Sequence, residues 1–191
     1  MTNIRTRVVE GYNVYFSTFK EEFDFHPPKS YRDIVVSFLN SGGASCAIIT
    51  PEASELIKAS GIVMPPGPAV FVLEDFFELH AKEEALAILY HEIGHLKYDH
   101  LIKVQNEGAN VVNGIFDNNE LEMEADAYAA SKTSRLHMAN GLKKTIESVG
   151  RLAKQYYDVL GEDLTKAYTS TDLMLKSSSA QKRFQALQTL S

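Results

Sequence analysis

A single cysteine, Cys46, in a chain of 191 residues leaves no internal disulfide possible, which excludes the small extracellular scaffolds held by bridges in place of a core. A reducing compartment, the cytoplasm, is the expected setting. Positive charge is scarce too: 19 lysines and arginines stand against 25 aspartates and glutamates, for a net charge of −6, so no basic field gathers nucleic acid or anionic lipid by counterion release. No apolar run approaches the roughly 18 residues of a membrane span. The run Ala85–Tyr90 is bounded by Glu84 and His91, and the residues after Arg5 and Arg7 form no signal-peptide core. Neither Gly42–Gly43 nor Gly67 has the spacing of a phosphate-binding loop. What remains is an ordinary globular chain, 45% hydrophobic and 23% charged, of a length that suits one domain over 1–191.

Strands are expected in the first third and helices afterwards, an α+β arrangement. Residues 8 to 19, rich in β-branched and aromatic side chains, read as a strand or a hairpin bent near Gly11-Tyr12-Asn13. A short helix is expected over Tyr31–Leu39, capped by Ser30. Ala44 to Thr50 reads as a buried strand, and Thr50-Pro51 as the capped start of a helix that ends at Gly61. After Met64-Pro65-Pro66-Gly67-Pro68, the run Ala69–Leu73 reads as a strand, placed at a sheet edge by the prolines before it. Apolar residues then recur with a helical period from Lys82 to about Asn106. Gly108–Asn119 reads as a loop, followed by a helix from Asn118 or Asn119 towards His137 that closes at Asn140-Gly141. Further helices are expected over 142–160, 163–176 and 179–190.

Inside the long helix lies His91-Glu92-Ile93-Gly94-His95. Two imidazoles four residues apart project from one helical face about 6 Å apart along the axis, the spacing at which a helix supplies two zinc ligands. Glu92, rotated by about 100°, reaches a water at the metal's open position and is the natural general base. A catalytic zinc needs a third protein ligand, and the segment Glu120-Leu121-Glu122-Met123-Glu124-Ala125-Asp126 offers carboxylates on a second helix. Glu122 and Asp126 share a face, so Glu122 is the expected ligand. Asp126 is then the group that accepts a histidine N–H and fixes its tautomer. Glu120 and Glu124 fall on other faces. The plain alternative for this cluster is an acidic helix start favoured by the helix dipole. Cys46 reads as a small core residue, and His26, His80, His100 and His137 as solvated or structural, with His100 assigned a polar helix-end role.

These residues resemble the gluzincin metallopeptidases of the HtpX and CAAX prenyl protease type, whose signature is H-E-x-G-H followed by E-x-x-x-D. The resemblance covers about 62 to 130 and includes the strand Ala69–Leu73, the stretch Leu79–Tyr90 and His100. In the tail, Ser177-Ser178-Ser179-Ala180-Gln181-Lys182-Arg183 is similar to the family's H-P-S-x-x-x-R, with Ser179 and Arg183 matching while Ser177 and Ser178 replace the histidine and proline. The resemblance implies a zincin-like fold without the transmembrane helices of the family's membrane members, one zinc, and an Arg183 that reaches the active site to contact substrate or the transition state.

The expected activity is zinc-dependent hydrolysis of peptide bonds in extended or unfolded polypeptides. Substrate is expected to add as a strand to Ala69–Leu73. A zinc-fold protein that acts by binding a partner is the rival, as is a structural site closed by four protein ligands.

Overall fold

The computed structural model describes residues 4–17, 44–59, 61–73, 76, 80–107, 111–112, 115–116, 119–145 and 178–189; the helices expected over Tyr31–Leu39 and 163–176 lie outside them. β1 (Arg5–Val9) and β2 (Tyr12–Ser17) form a hairpin. Its bend is Glu10-Gly11, with φ of 51° and 89°, the two left-handed residues of a turn whose twist matches that of the strands. β3 (Ala44–Ile49) runs into α1 (Pro51–Ala59). There the Ala53 N–H donates to Thr50 Oγ1 at 3.2 Å, and Pro51 occupies a first-turn position whose amide would have no helical partner. Gly61, at φ 85°, turns the chain toward β4 (Gly67–Leu73).

The strand order is β1-β2-β4-β3, with β2 parallel and β3 antiparallel to β4. Ala69–Leu73 is therefore an interior strand, and the edge position expected for it is corrected. The register supplies the reason. Pro68 pairs only with Ile48 of β3, because the β2 ladder begins at Asn13 opposite Ala69. The missing proline amide thus falls outside the second ladder, and the residues that follow are bonded on both sides. The edge strand next to the following helix is β3.

Both faces of the sheet are covered. Val14, Val70, Val72 and Ala44 face one core, while Tyr15, Ala69 and Ile49 join Met64 in a smaller one on the other side. The first core is completed by α2 (Lys82–Lys97), which buries Ala85, Ile88, Leu89, Ile93 and Leu96. The single helix expected to reach Asn106 is divided here. Asp99 adopts φ 56°, a conformation that aspartate tolerates better than most residues, and a separate helix, α3 (His100–Glu107), starts directly after it. The Asp99 carbonyl accepts the amides of Ile102 and Lys103 at 3.0 and 2.9 Å. Leu96 and Leu101 pack on the same core across the break, so the apolar period continues through it.

Two two-residue strands, β5 (Val111–Val112) and β6 (Ile115–Phe116), pair within the segment expected to be a loop. α4 (Asn119–Lys132) stops short of His137. Ser134 Oγ accepts the His137 amide at 3.1 Å and starts a helical stretch over 135–145. Gly141 lies inside that stretch rather than ending a helix. A Cβ there would come within 3.0 Å of Ile88 Cγ1 and 3.1 Å of the Glu84 carbonyl oxygen. α5 (Ser178–Thr189) contributes Leu187 to the core. Among the described residues no helix is long and apolar enough to cross a membrane.

α2 and α4 pack against each other at close range. A Cβ on Gly94 would lie 3.1 Å from Ala125 Cα and 3.2 Å from Tyr128 Cδ1, so the glycine between the two motif histidines lets the second backbone come within contact distance. Gly94→Ala gains up to about 1 kcal/mol of helix propensity but forces α4 outward against a packed core, at about 1–3 kcal/mol. The expected result is a lower melting temperature, measured by thermal unfolding of the variant beside the wild type.

Candidate metal centre

His91 and His95 stand one turn apart on α2 with their Nε2 atoms 3.0 Å from each other. The α2–α4 contact brings Glu122 to them from the first turn of α4. Its Oε2 lies 3.5 Å from His91 Nε2 and its Oε1 3.4 Å from His95 Nε2. One atom from each of the three residues falls within 4.8 Å of the others. Ligands about 2.0–2.1 Å from a tetrahedral zinc are separated by about 3.3 Å, so the three donors fit a single ion.

Proton bookkeeping points the same way. His91 Nδ1 lies 2.8 Å from Asp126 Oδ1, and an ionised carboxylate only accepts, so that nitrogen carries a proton and Nε2 presents its lone pair inward. Three lone-pair donors then converge, and they require a shared cation. Without a metal, a proton serves. Burial opposes the charge on His91, but Asp126 and Glu122 outweigh it and push its pKa up to about 10. His95, buried and facing a charged His91, is depressed to about 3.

The carboxylates are held ionised from behind. Arg183, on α5, donates from Nε to Asp126 Oδ2 at 2.7 Å and from one terminal nitrogen to Asp126 Oδ1 at 2.8 Å, while the other terminal nitrogen forms an ion pair with Glu122 Oε2 at 2.8 Å. Burial alone would raise the pKa of both acids, yet Arg183 and then His91 hold them below their ordinary values. Each of the three guanidinium nitrogens thus meets a protein carboxylate, a fork that only arginine offers.

Glu92 lies next to the three converging donors without being one of them. Burial raises its pKa to about 7, His91 partly offsetting the effect and Glu122 adding to it. Its side chain is hydrogen-bonded to Cys46 of β3, whose thiol is pushed well up by burial and by Glu92 and so stays protonated. The thiol is the donor of that pair. Tyr128 points away, donating to Glu10 in the hairpin turn.

Three members of this neighbourhood were placed outside the site by the sequence: Cys46 as a small core residue, His100 at a polar helix end and Glu124 on another helix face. Cys46 gave no signal, because only the sheet topology brings β3 across from Glu92. His100 sits about 140° off the His95 face of a continuous helix, and the left-handed Asp99 returns its ring to His95, Nδ1 to Nδ1 at 2.9 Å. Glu124 meets His100 Nε2 at 2.9 Å. Glu120 is exposed.

Residues 59–116 match the model of peptidase family M48. This stretch is part of a domain and supports an M48 family zinc metallopeptidase; it holds His91, Glu92, His95 and His100 and ends before Glu122, Asp126 and Arg183. No curated protein and no solved structure matches the chain.

Two outcomes follow from the electrostatics. Arg183→Met leaves Asp126 and Glu122 buried without their partner, a loss on the order of 3 kcal/mol, or roughly 6–12 °C in melting temperature for a chain of this size. Arg183→Lys recovers only part of it, and thermal melts of the metal-free proteins decide. Glu92 keeps its proton to about pH 7 in the fold against an ordinary 4.5. Unfolding therefore releases a proton between those values, and its ionisation costs stability as pH rises through them. Glu92→Gln should raise the melting temperature of the metal-free protein at pH 8, with the gain vanishing near pH 4.5; an equal shift at both values contradicts the assignment.

Proposed function

We propose, from the M48-matching segment and the donors that converge beside it, that the chain is a single-domain, zincin-like zinc endopeptidase acting on extended polypeptide. The observation that carries this is the grouping of His91, His95 and Glu122 around one point with Glu92 adjacent. His91, His95 and Glu122 would hold the ion, which when bound supplies Lewis acidity toward the scissile carbonyl and the attacking water. A set of three protein donors leaves a coordination position for chemistry, unlike a site closed by four.

Glu92 takes the proton from water as the water oxygen bonds to the carbonyl carbon. It returns that proton to the amide nitrogen as the carbon–nitrogen bond breaks. A carboxyl titrating near neutrality is suited to both transfers. The Cys46 thiol, donating to Glu92, limits the rotation of the base. Asp126 orients His91, and Arg183 holds Asp126 and Glu122 together, so we assign Arg183 to positioning the site's acids, since its nitrogens are occupied by them. The outer edge of β3, which has no strand partner among the described residues, offers backbone groups to an extended peptide. A chain added there passes the residue that touches Glu92.

Cleavage of an unfolded protein should require zinc, stop with a chelator and return when zinc is restored. His91→Ala, His95→Ala and Glu122→Ala should each lose tight zinc binding, whereas Glu120→Ala should keep it. Glu92→Gln should retain zinc and lower turnover by at least 100-fold. Zinc bound by the wild type without any cleavage would favour a partner-binding role, and undiminished cleavage by Glu92→Gln would remove the proposed base.

A further inference from the structure

His95 lacks what His91 has, a carboxylate on its Nδ1. In its place stands a second imidazole, His100 Nδ1 at 2.9 Å, and beyond it Glu124 Oε2, 2.9 Å from His100 Nε2. His100 is 2% exposed and the Glu124 side chain 45%, so the chain of contacts runs from the buried centre to the surface. We infer that His100 and Glu124 are positioning residues that fix the tautomer of His95 and so aim its Nε2 lone pair at the metal, an inference that rests on the metal-site reading above.

The logic starts at the surface and runs inward. The carboxylate of Glu124 accepts only, so His100 Nε2 bears the proton. In a neutral imidazole the other nitrogen then has a lone pair, and His100 Nδ1 accepts. His95 Nδ1 must donate to it, which leaves His95 Nε2 as the acceptor atom, 3.0 Å from His91 Nε2 and 3.4 Å from Glu122 Oε1. Reversing any one contact places a proton where the metal belongs. α4 therefore serves both histidines, Asp126 acting on His91 directly and Glu124 on His95 through His100. Groups outside the ligand shell that orient metal-binding imidazoles are each worth roughly 10- to 100-fold in affinity.

The test uses the full chain. Zinc affinity is measured against a competing chromophoric chelator, and the zinc-free wild type is examined by ¹⁵N NMR of the histidine rings. His95 should carry its proton on Nδ1 and His100 on Nε2, with a nitrogen–nitrogen coupling across the His95–His100 hydrogen bond. His100→Phe should weaken zinc binding by about 10- to 100-fold, while His100→Asn, which keeps an acceptor at the position of Nδ1, should recover most of it. At the surface end, Glu124→Gln keeps an acceptor and should bind zinc like wild type, whereas Glu124→Met should not. This second pair decides if His100→Phe fails to fold. A zinc-free His95 protonated on Nε2, or wild-type affinity in both His100→Phe and Glu124→Met, overturns the inference. A wild type that binds no zinc sinks the metal-site reading instead, and the ring protonation still reports on the tautomer.

Discussion

The centre depends on how closely two helices approach. α2 carries both imidazoles but no suitable carboxylate in the converging set, and α4 carries the acids. Donors on separate helices meet only if the backbones come together, and at Gly94 the distance to Ala125 leaves no room for a methyl group without a shift. Ala125 and Ala129, both fully buried on α4, keep that face narrow one and two turns beyond Glu122. The hydrophobic effect that drives the helices together is non-directional; the small residues turn it into a defined separation, and the separation sets the donor distances.

The same closeness creates an electrostatic problem. Glu92, Glu122 and Asp126 are all drawn into a dry space, where like charges repel and ionised carboxylates lose their hydration. Arg183 resolves two of the three by chelating Asp126 and reaching Glu122, and the third, Glu92, answers by titrating near neutrality. One arginine on α5 thus separates the acids into two that remain ionised and one that exchanges a proton. The candidate-site residue farthest along the chain is required by acids near its middle, which ties the last described helix to the candidate site.

Much of this was legible in the sequence because it is local. A spacing of four residues places His91 with His95 and Glu122 with Asp126 whatever the fold around them, and Thr50-Pro51 announces a helix start through its own backbone chemistry. What escaped was what depends on partners. Pro68 suggested an edge strand, but its position one residue before the β2 ladder makes the proline harmless and Ala69–Leu73 central. The apolar period from Lys82 onward hid the break at Asp99, since both halves bury against one core, and with the break went the placement of His100 and Glu124. Cys46 reaches Glu92 only through a sheet order that no local pattern encodes.

The central claim is that two imidazoles of α2 and a carboxylate of α4 form a three-donor site with an open position. X-ray absorption spectroscopy of the zinc-loaded protein tests it most directly. The account predicts scattering from two imidazole rings and from oxygen neighbours at about 2.0–2.2 Å, with no sulfur. A shell containing sulfur at about 2.3 Å, or one filled by four protein ligands, would contradict it.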